Sequence, residues 1–270
     1  MPILADCHLH SSFSADSDTP METMIQEALS KGLKTITFTE HNDFNFPCDD
    51  PSSFELNGDS FLFDLLKYRE KYMGQIEVLY GVEIGLQKDC MRQNIKLTKD
   101  YDFDFVIGSL HVINGQDPYY PAFFEGRSDE ECYREYFETL MANLRTFSNF
   151  DSLGHLDYIV RYGKSKDQDY SYSKYADLID PILKSLIERD KALEINTGGL
   201  ADGLKDTNPC IDIVKRYREL GGELITIGSD AHDTAHIGFR FDRAYEILKA
   251  CGFEYYTVFC GRTPELRKLF

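Results

Sequence analysis

The sequence predicts an α/β protein, a parallel barrel in which strands and helices alternate along the chain. Three observations predict it. Short apolar runs recur with amphipathic helical stretches between them. Most of those runs are continuously apolar rather than alternating, as parallel strands covered on both faces require. Six of the seven histidines stand where such a run ends, in ILADCHLH, TITFTEHND, FDFVIGSLHVI, DSLGHLD and LITIGSDAH. In a parallel barrel those ends converge on one face, where such folds build their sites.

Strands are expected over 3–8, 35–40, 77–84, 103–111, 152–156, 192–197, 224–229 and 255–259. The first helix has a full set of start signals: Thr19 as N-cap, Pro20 at the first helical position and Glu22 completing a capping box. Met21, Met24, Ile25, Ala28 and Leu29 form its apolar stripe, and Gly32 ends it. Further helices are expected over 60–73, 129–147, 174–190, 209–220 and 240–251. In the second of these, Tyr133, Phe137, Leu140, Met141 and Leu144 share a face. Two polar loops, 42–59 and 112–128, follow strands that end in a histidine, so both rim the same face. Their aromatic residues either cover a substrate or pack on the barrel rim. With no repeat, low-complexity tract or linker, a single domain over 1–270 is expected.

Composition narrows the function. A chain of 270 residues with 42% hydrophobic residues can bury a full core. A net charge of −17 and the lack of any basic run argue against nucleic acid and against anionic membrane as partners. The seven cysteines are scattered with no C-x-x-C pair, which suits a reducing compartment, and a cytoplasmic location is expected. The N-terminus shows no basic n-region or cleavage signature, and no apolar stretch reaches bilayer-spanning length. A monomer or a small homo-oligomer is expected.

The strand-end residues have the types and spacing of metal ligands. His8 and His10 are two apart on a strand and so point the same way, able to reach one ion. Asp16 and Asp18 follow in a Ser-rich loop. Glu40 and His41 end the second strand, Glu83 the third, His111 the fourth and His155 the fifth, while Asp230 and His232 follow the seventh. A buried strand-end glutamate is costly unless paired or metal-bound. Its two oxygens can bridge two ions, which makes Glu83 the expected bridge. Mixed imidazole and carboxylate donors suit Zn, Mn or Fe. His236 falls outside the pattern.

The ordered run of H-x-H at His8, Glu40-His41, Glu83, Ser109-x-His111, Gly154-His155-x-Asp157 and Ser229-Asp230-x-His232 resembles the polymerase and histidinol phosphatase (PHP) superfamily. The resemblance covers essentially the whole chain. It implies a distorted seven-stranded TIM-like βα barrel, so one of the eight expected strands is peripheral, the last being first choice. It also implies three divalent ions. His8, His10, Glu83 and Asp230 would hold the first, Glu83, His111 and His155 the second, and Asp16, His41 and His232 the third. Many relatives carry histidine where Asp16 stands, and Asp18 competes for that role.

Within the superfamily the chain looks most like the stand-alone histidinol-phosphate phosphatases. That implies hydrolysis of a small phosphorylated metabolite, L-histidinol phosphate, to L-histidinol and phosphate. A water bridging two divalent ions loses a proton near neutral pH and can attack phosphorus in line. Asp230 and His232 are the candidate proton donors to the leaving oxygen. Arg161 is the expected phosphate contact, with Arg127 and Asn114 in the second rim loop as weaker ones. Glu194 and Asn196, at another strand end, either contact the metal layer or an amine, or serve structural hydrogen bonding. The acidic residues Asp43, Asp117 and Glu125 are compatible with a cationic substrate. Rival readings are a phosphodiesterase or exonuclease using the same ions, a phosphatase of another small phosphomonoester, a non-catalytic metal-binding domain, and an amidohydrolase barrel. The last usually has a lysine at a middle strand, and none stands at the fourth strand end.

Overall fold

The computed structural model describes residues 3–269; residues 1, 2 and 270 of the expected domain lie outside that range. Seven parallel strands form one sheet in sequential order: β1 (Ala5–Leu9), β2 (Thr35–Asn42), β3 (Glu77–Gly85), β4 (Phe105–Ser109), β5 (Ser152–Leu153), β6 (Ala192–Asn196) and β7 (Ile225–Gly228). The sheet curls until its ends meet. Leu9 bridges Ala231 in parallel, His10 N donates to Ala231 O at 2.9 Å, and Asp230 N donates to His8 O at 2.9 Å. The result is the expected seven-stranded barrel.

Helices follow the strands: α1 (Met21–Ser30), α2 (Gly58–Lys71), α3 (Met91–Asp100), α4 (Asp129–Thr146), α5 (Tyr172–Glu188), the short α6 (Gly198–Ala201), α7 (Ile211–Glu219) and α8 (Phe241–Ala250). The longer ones present an apolar stripe to the barrel. On α4 the stripe includes Tyr133, Phe137, Leu140 and Leu144, with Met141 partly buried at its edge. Helix α3 had no counterpart among the expected elements. Only Asn94 and Leu97 of it are buried, too few apolar positions for a periodic signal.

The start of α1 differs from the expected capping box. Pro20 occupies the N-cap, and no side chain caps the helix. Thr19 Oγ1 instead donates to His232 O at 3.2 Å, and Glu22 accepts from Tyr72 Oη at 2.8 Å and pairs with Lys71. Tertiary partners outcompete the local cap here, and Thr19 ties the first helix to the site loop.

The eighth expected strand is peripheral, as the resemblance implied. It is β8 (Tyr255–Cys260), paired antiparallel with an unexpected β9 (Thr263–Lys268). Exposure of Thr263–Glu265 and Leu266 leaves β9 without the apolar run that marks a strand. The hairpin turn sits at the N-terminal end of the barrel. Arg262 pairs with Asp151 before β5, and Gly261 N donates to Asp104 before β4 at 3.1 Å. The opposite end, where β1–β7 finish, is left for the site. No described helix is long and apolar enough to cross a membrane.

Candidate metal centre

Strand register assembles the donors. His41 of β2 pairs with Glu83 of β3, so both side chains emerge on the same level of the barrel mouth. The interior there is crowded enough to require glycine at two points. A Cβ on Gly228 would stand 2.3 Å from His8 Cβ, and one on Gly154 would stand 2.3 Å from Ser109 Oγ. After β7 the chain makes a left-handed step at Asp230, with φ of 58°. Asp6 holds that step by accepting from Ser229 N at 2.9 Å and Ser229 Oγ at 2.6 Å.

Within the first expected donor set, five separations fall in a narrow band. His8 Nε2 lies 3.1 Å from His10 Nε2, 3.2 Å from Glu83 Oε2 and 3.5 Å from Asp230 Oδ1. His10 Nε2 lies 3.4 Å from Glu83 Oε2 and 3.5 Å from Asp230 Oδ1. Donors that share one tetrahedral zinc at ~2.0–2.1 Å stand about 3.3 Å apart. The second set behaves alike: Glu83 Oε1 is 3.3 Å from His111 Nε2 and 3.0 Å from His155 Nε2, and those two nitrogens are 3.4 Å apart. Glu83 therefore gives one oxygen to each set. In the third, Asp16 Oδ2 lies 3.4 Å from His41 Nε2 and 3.3 Å from His232 Nε2. Asp18 is exposed and makes no ion pair with either imidazole. The rings of His41 and His232 each stack on His10 with centroids 4.2 Å apart.

Hydrogen bonds at the far ring nitrogen fix which imidazole nitrogen faces the cluster. A carboxylate or carbonyl oxygen only accepts, so the ring nitrogen against it carries the proton. His8 Nδ1 donates to Glu194 Oε1 at 2.6 Å, His111 Nδ1 to Asp43 Oδ1 at 3.0 Å, and His232 Nδ1 to Asp230 O at 2.9 Å. His10 Nδ1 donates to Ser14 Oγ at 3.0 Å, because that hydroxyl gives its own proton to Glu40 Oε2 at 2.6 Å. Four Nε2 lone pairs are thereby aimed at the cluster. Glu40 is not a ligand: its carboxylate is consumed by Ser11 and Ser14.

The donors fit divalent cations. Buried Glu83 Oε2 and His232 Nε2 have no hydrogen-bond partner, a cost that a bound cation would remove. Without metal, a proton on His8 Nε2 bridges to the His10 Nε2 lone pair at 3.1 Å, the place that a bound cation would take over. Burial opposes ionisation of Glu83, yet the charges of His8, His111 and His41 hold its carboxyl well below the usual range. Asp230 is likewise held low against burial, by His8, His10 and Arg161. Burial, joined by His232 and His41, pushes the His10 imidazole down to about 3, leaving it neutral and ready to ligate.

Two of the expected donors' partners carried a weaker sequence signal. Asp43, read as an acidic rim residue, orients His111; it lies two residues past His41, just beyond the end of β2. Glu194 orients His8 and also accepts from His155 N at 2.7 Å. Replacing Glu194 with glutamine turns one acceptor into a donor facing that N–H. Zinc affinity is expected to fall by about 10–100-fold, read by competition with a chromogenic chelator. Unchanged affinity would remove Glu194 from the ligand support.

Six of the nine donors, Asp16, His41, His111, His155, Asp230 and His232, line a cavity of about 240 Å³ that also holds Arg161, Asp202 and His236. Arg161 is therefore at the site. Arg127 and Asn114 are not. Both pair with Glu135 on α4, and Arg127 packs over the Phe123 ring, because the second rim loop folds down with Phe123 and Phe124 buried. That loop splits its aromatics: Tyr119 and Tyr120 instead line a second cavity. His236 donates to Asp233 Oδ1 at 2.8 Å and borders the first cavity.

Comparison with known proteins agrees with this geometry. The PHP domain family model matches residues 6–198. The chain is 39% identical to a "Probable histidinol-phosphatase" of Clostridium acetobutylicum, over 91% of this chain and 93% of that one. It is 33% identical to the histidinol-phosphatase of Lactococcus lactis, over 97% of each. A crystal structure of histidinol phosphate phosphatase from Lactococcus lactis, in complex with zinc, L-histidinol and phosphate, superposes with a TM-score of 0.90 at 32% identity, covering 97% of this chain and 98% of that one. The seven-stranded barrel, the ordered ligand signature and these matches agree, and the chain belongs to the PHP domain family.

Proposed function

We propose that this chain is a metal-dependent phosphomonoesterase that hydrolyses L-histidinol phosphate to L-histidinol and phosphate, the phosphatase step of histidine biosynthesis. The observation that carries it is Glu83, whose two oxygens serve two donor sets, with His111, His155 and Asp230 of those sets lining a cavity that also holds a buried arginine. The names and the bound zinc, L-histidinol and phosphate of the Lactococcus lactis neighbour support the substrate. His8, His10, Glu83 and Asp230 would hold one ion, Glu83, His111 and His155 a second, and Asp16, His41 and His232 a third. Zinc suits the first set's tetrahedral spacing, and Mn or Fe would accept the same donors. Bound ions would supply an ionised water and neutralise phosphoryl oxygens.

The protein's own residues do the rest. Arg161 offers N–H donors to the phosphoryl oxygens. Asp230 and His232 border the leaving oxygen. Asp230 Oδ2 is already taken by Arg161 at 3.0 Å, whereas His232 Nε2 has no hydrogen-bond partner. His232 would therefore be the group free to give the leaving oxygen its proton if two ions were bound, and would be a ligand if a third were bound. The metal-to-protein ratio decides between these roles.

A second cavity of about 380 Å³ joins the first through Asp16, His41 and His111. Its walls include Phe46, Phe54, Tyr119, Tyr120 and Asp117. Aromatic faces with Asp117, the one lining carboxylate not engaged with an imidazole, suit an amine and imidazole leaving group. Asp117→Asn is expected to raise KM for L-histidinol phosphate about tenfold while leaving p-nitrophenyl phosphate within about twofold. An equal change on both substrates would reject this assignment. The overall reading is tested by phosphate release from a panel of L-histidinol phosphate, nucleotides, a diester and a phosphotyrosine peptide. Turnover concentrated on the first is expected, and dominant diester cleavage would overturn it.

A further inference from the structure

We infer that Asp157 and Asn208 are positioning residues, which lock the Arg161 guanidinium in register with the metal cavity. The inference rests on the phosphatase reading above. Asp157 ends the Gly154-His155-Leu156-Asp157 run, yet it belongs to none of the three donor sets. It is buried, and among the described residues no arginine or lysine pairs with it. Its oxygens accept instead from Asn208 Nδ2 at 2.7 Å and from Cys210 N at 3.1 Å.

That carboxylate sets the polarity of the Asn208 amide. With Nδ2 committed to Asp157, Oδ1 faces Arg161 and accepts from Nε at 2.9 Å. The flipped amide would set oxygen against carboxylate and N–H against N–H, so only one orientation survives. The backbone of Asn208 is pinned as well: Asn208 N donates to Asn196 O at 2.9 Å and Asn196 N to Asn208 O at 2.8 Å. The chain of contacts thus runs from Asp157 through Asn208 to the guanidinium, anchored on β6.

Arg161 is otherwise held by Asn196 Oδ1, which accepts from Nη2 at 2.8 Å, and by Asp230 Oδ2, which accepts from Nη1 at 3.0 Å. A guanidinium has five N–H groups. Three are used, leaving one on each terminal nitrogen for a ligand in the cavity. Those two N–H groups are what the guanidinium keeps for phosphoryl oxygens. Without Asn208, Nε would be drawn toward Asp202, whose Oδ2 stands 3.7 Å away on the half-exposed rim. The fork would then turn away from the ligand.

The test uses the zinc-loaded full chain and inorganic phosphate as the probe. In Asn208→Leu and in Asp157→Asn, Ki for phosphate and KM for L-histidinol phosphate are expected to rise together, about tenfold. KM for p-nitrophenyl phosphate should rise by the same factor, since the phosphoryl group is common to both, and zinc content should stay unchanged. Adding Asn208→Leu to Arg161→Lys should cost little beyond Arg161→Lys alone, because both act through one group. If Asn208→Leu does not fold, Asn208→Ser carries the same measurement. Wild-type turnover with unchanged phosphate Ki in the variants overturns the positioning role alone. A zinc-loaded wild type that releases no phosphate overturns the phosphatase reading and this inference with it.

Discussion

Replacing Glu83 with glutamine is expected to lower kcat/KM by at least ~10³-fold, equivalent to about 4 kcal/mol of transition-state stabilisation. The size follows from what the side chain does. Its Oε2 stands 3.2 Å from His8 Nε2 and its Oε1 stands 3.0 Å from His155 Nε2, so one carboxylate spans two donor sets. Glutamine offers one oxygen and one NH₂, and the NH₂ would face imidazole lone pairs or a cation. It also removes a negative charge from a fully buried position among several imidazoles. Glu83→Gln should therefore bind less zinc per chain while keeping the far-UV circular dichroism of the parent. Glu83→Asp keeps both oxygens but shortens their reach, and should fall between the two. A Glu83→Gln protein with full zinc content and full turnover would sink the shared-carboxylate account.

Stripping the ions with a strong chelator is expected to abolish turnover and to lower Tm by about 5–10 °C, with recovery on adding zinc. A ligand present at about 100 times its Kd stabilises the folded state by ~2.7 kcal/mol. For a chain of this size each kcal/mol is worth about 2–4 °C. The pH dependence should have opposite signs with and without metal. In the stripped protein, burial disfavours charge on His111, but Asp43 and Glu83 outweigh it and lift the imidazole to about 10. The stability from that pairing is fully present below the unfolded value of ~6.5 and is lost as pH rises toward about 10. His8 and His41 are raised for the same reason. Metal must displace those protons, so its apparent affinity climbs as pH rises. Differential scanning from pH 6 to 10 should show Tm falling in the chelated protein and the zinc-induced increment growing. Parallel curves would reject the coupling.

Much of the site was legible because metal ligands need particular atoms, and few residue types supply them. His8, His10, His41, Glu83, His111, His155, Asp230 and His232 each follow an apolar run, and the period-two geometry of a strand already puts His8 and His10 on one side. The residues that orient them were harder to read. Asp43 looks like any loop acid until His111, from a different strand, arrives against it. Glu40 looks like a ligand by its position beside His41, but Ser11 and Ser14 take all its acceptor capacity. Asn208 offers no signal at all in the sequence, since an asparagine before proline usually marks only a turn.

Rim residues diverged most. Arg127 and Asn114 belong to the loop expected to face the substrate, but Phe123 and Phe124 of the same loop are drawn into the core. Burial of two aromatic rings outweighs any preference of an arginine for the cavity, and Glu135 is within reach to pair it. Helix α3 and strand β9 escaped for the complementary reason. Neither buries enough apolar surface to leave a periodic trace.

By itself, then, the sequence determined the alternating barrel and the chemistry at its strand ends, because both are written in local patterns of a few residues. Only the tertiary structure decided which nitrogen of His8, His10, His111 and His232 faces the cluster, which acids support rather than ligate, and which rim loop turns inward. Those choices depend on partners such as Glu194 and His8, 186 residues apart, that meet only when the barrel closes.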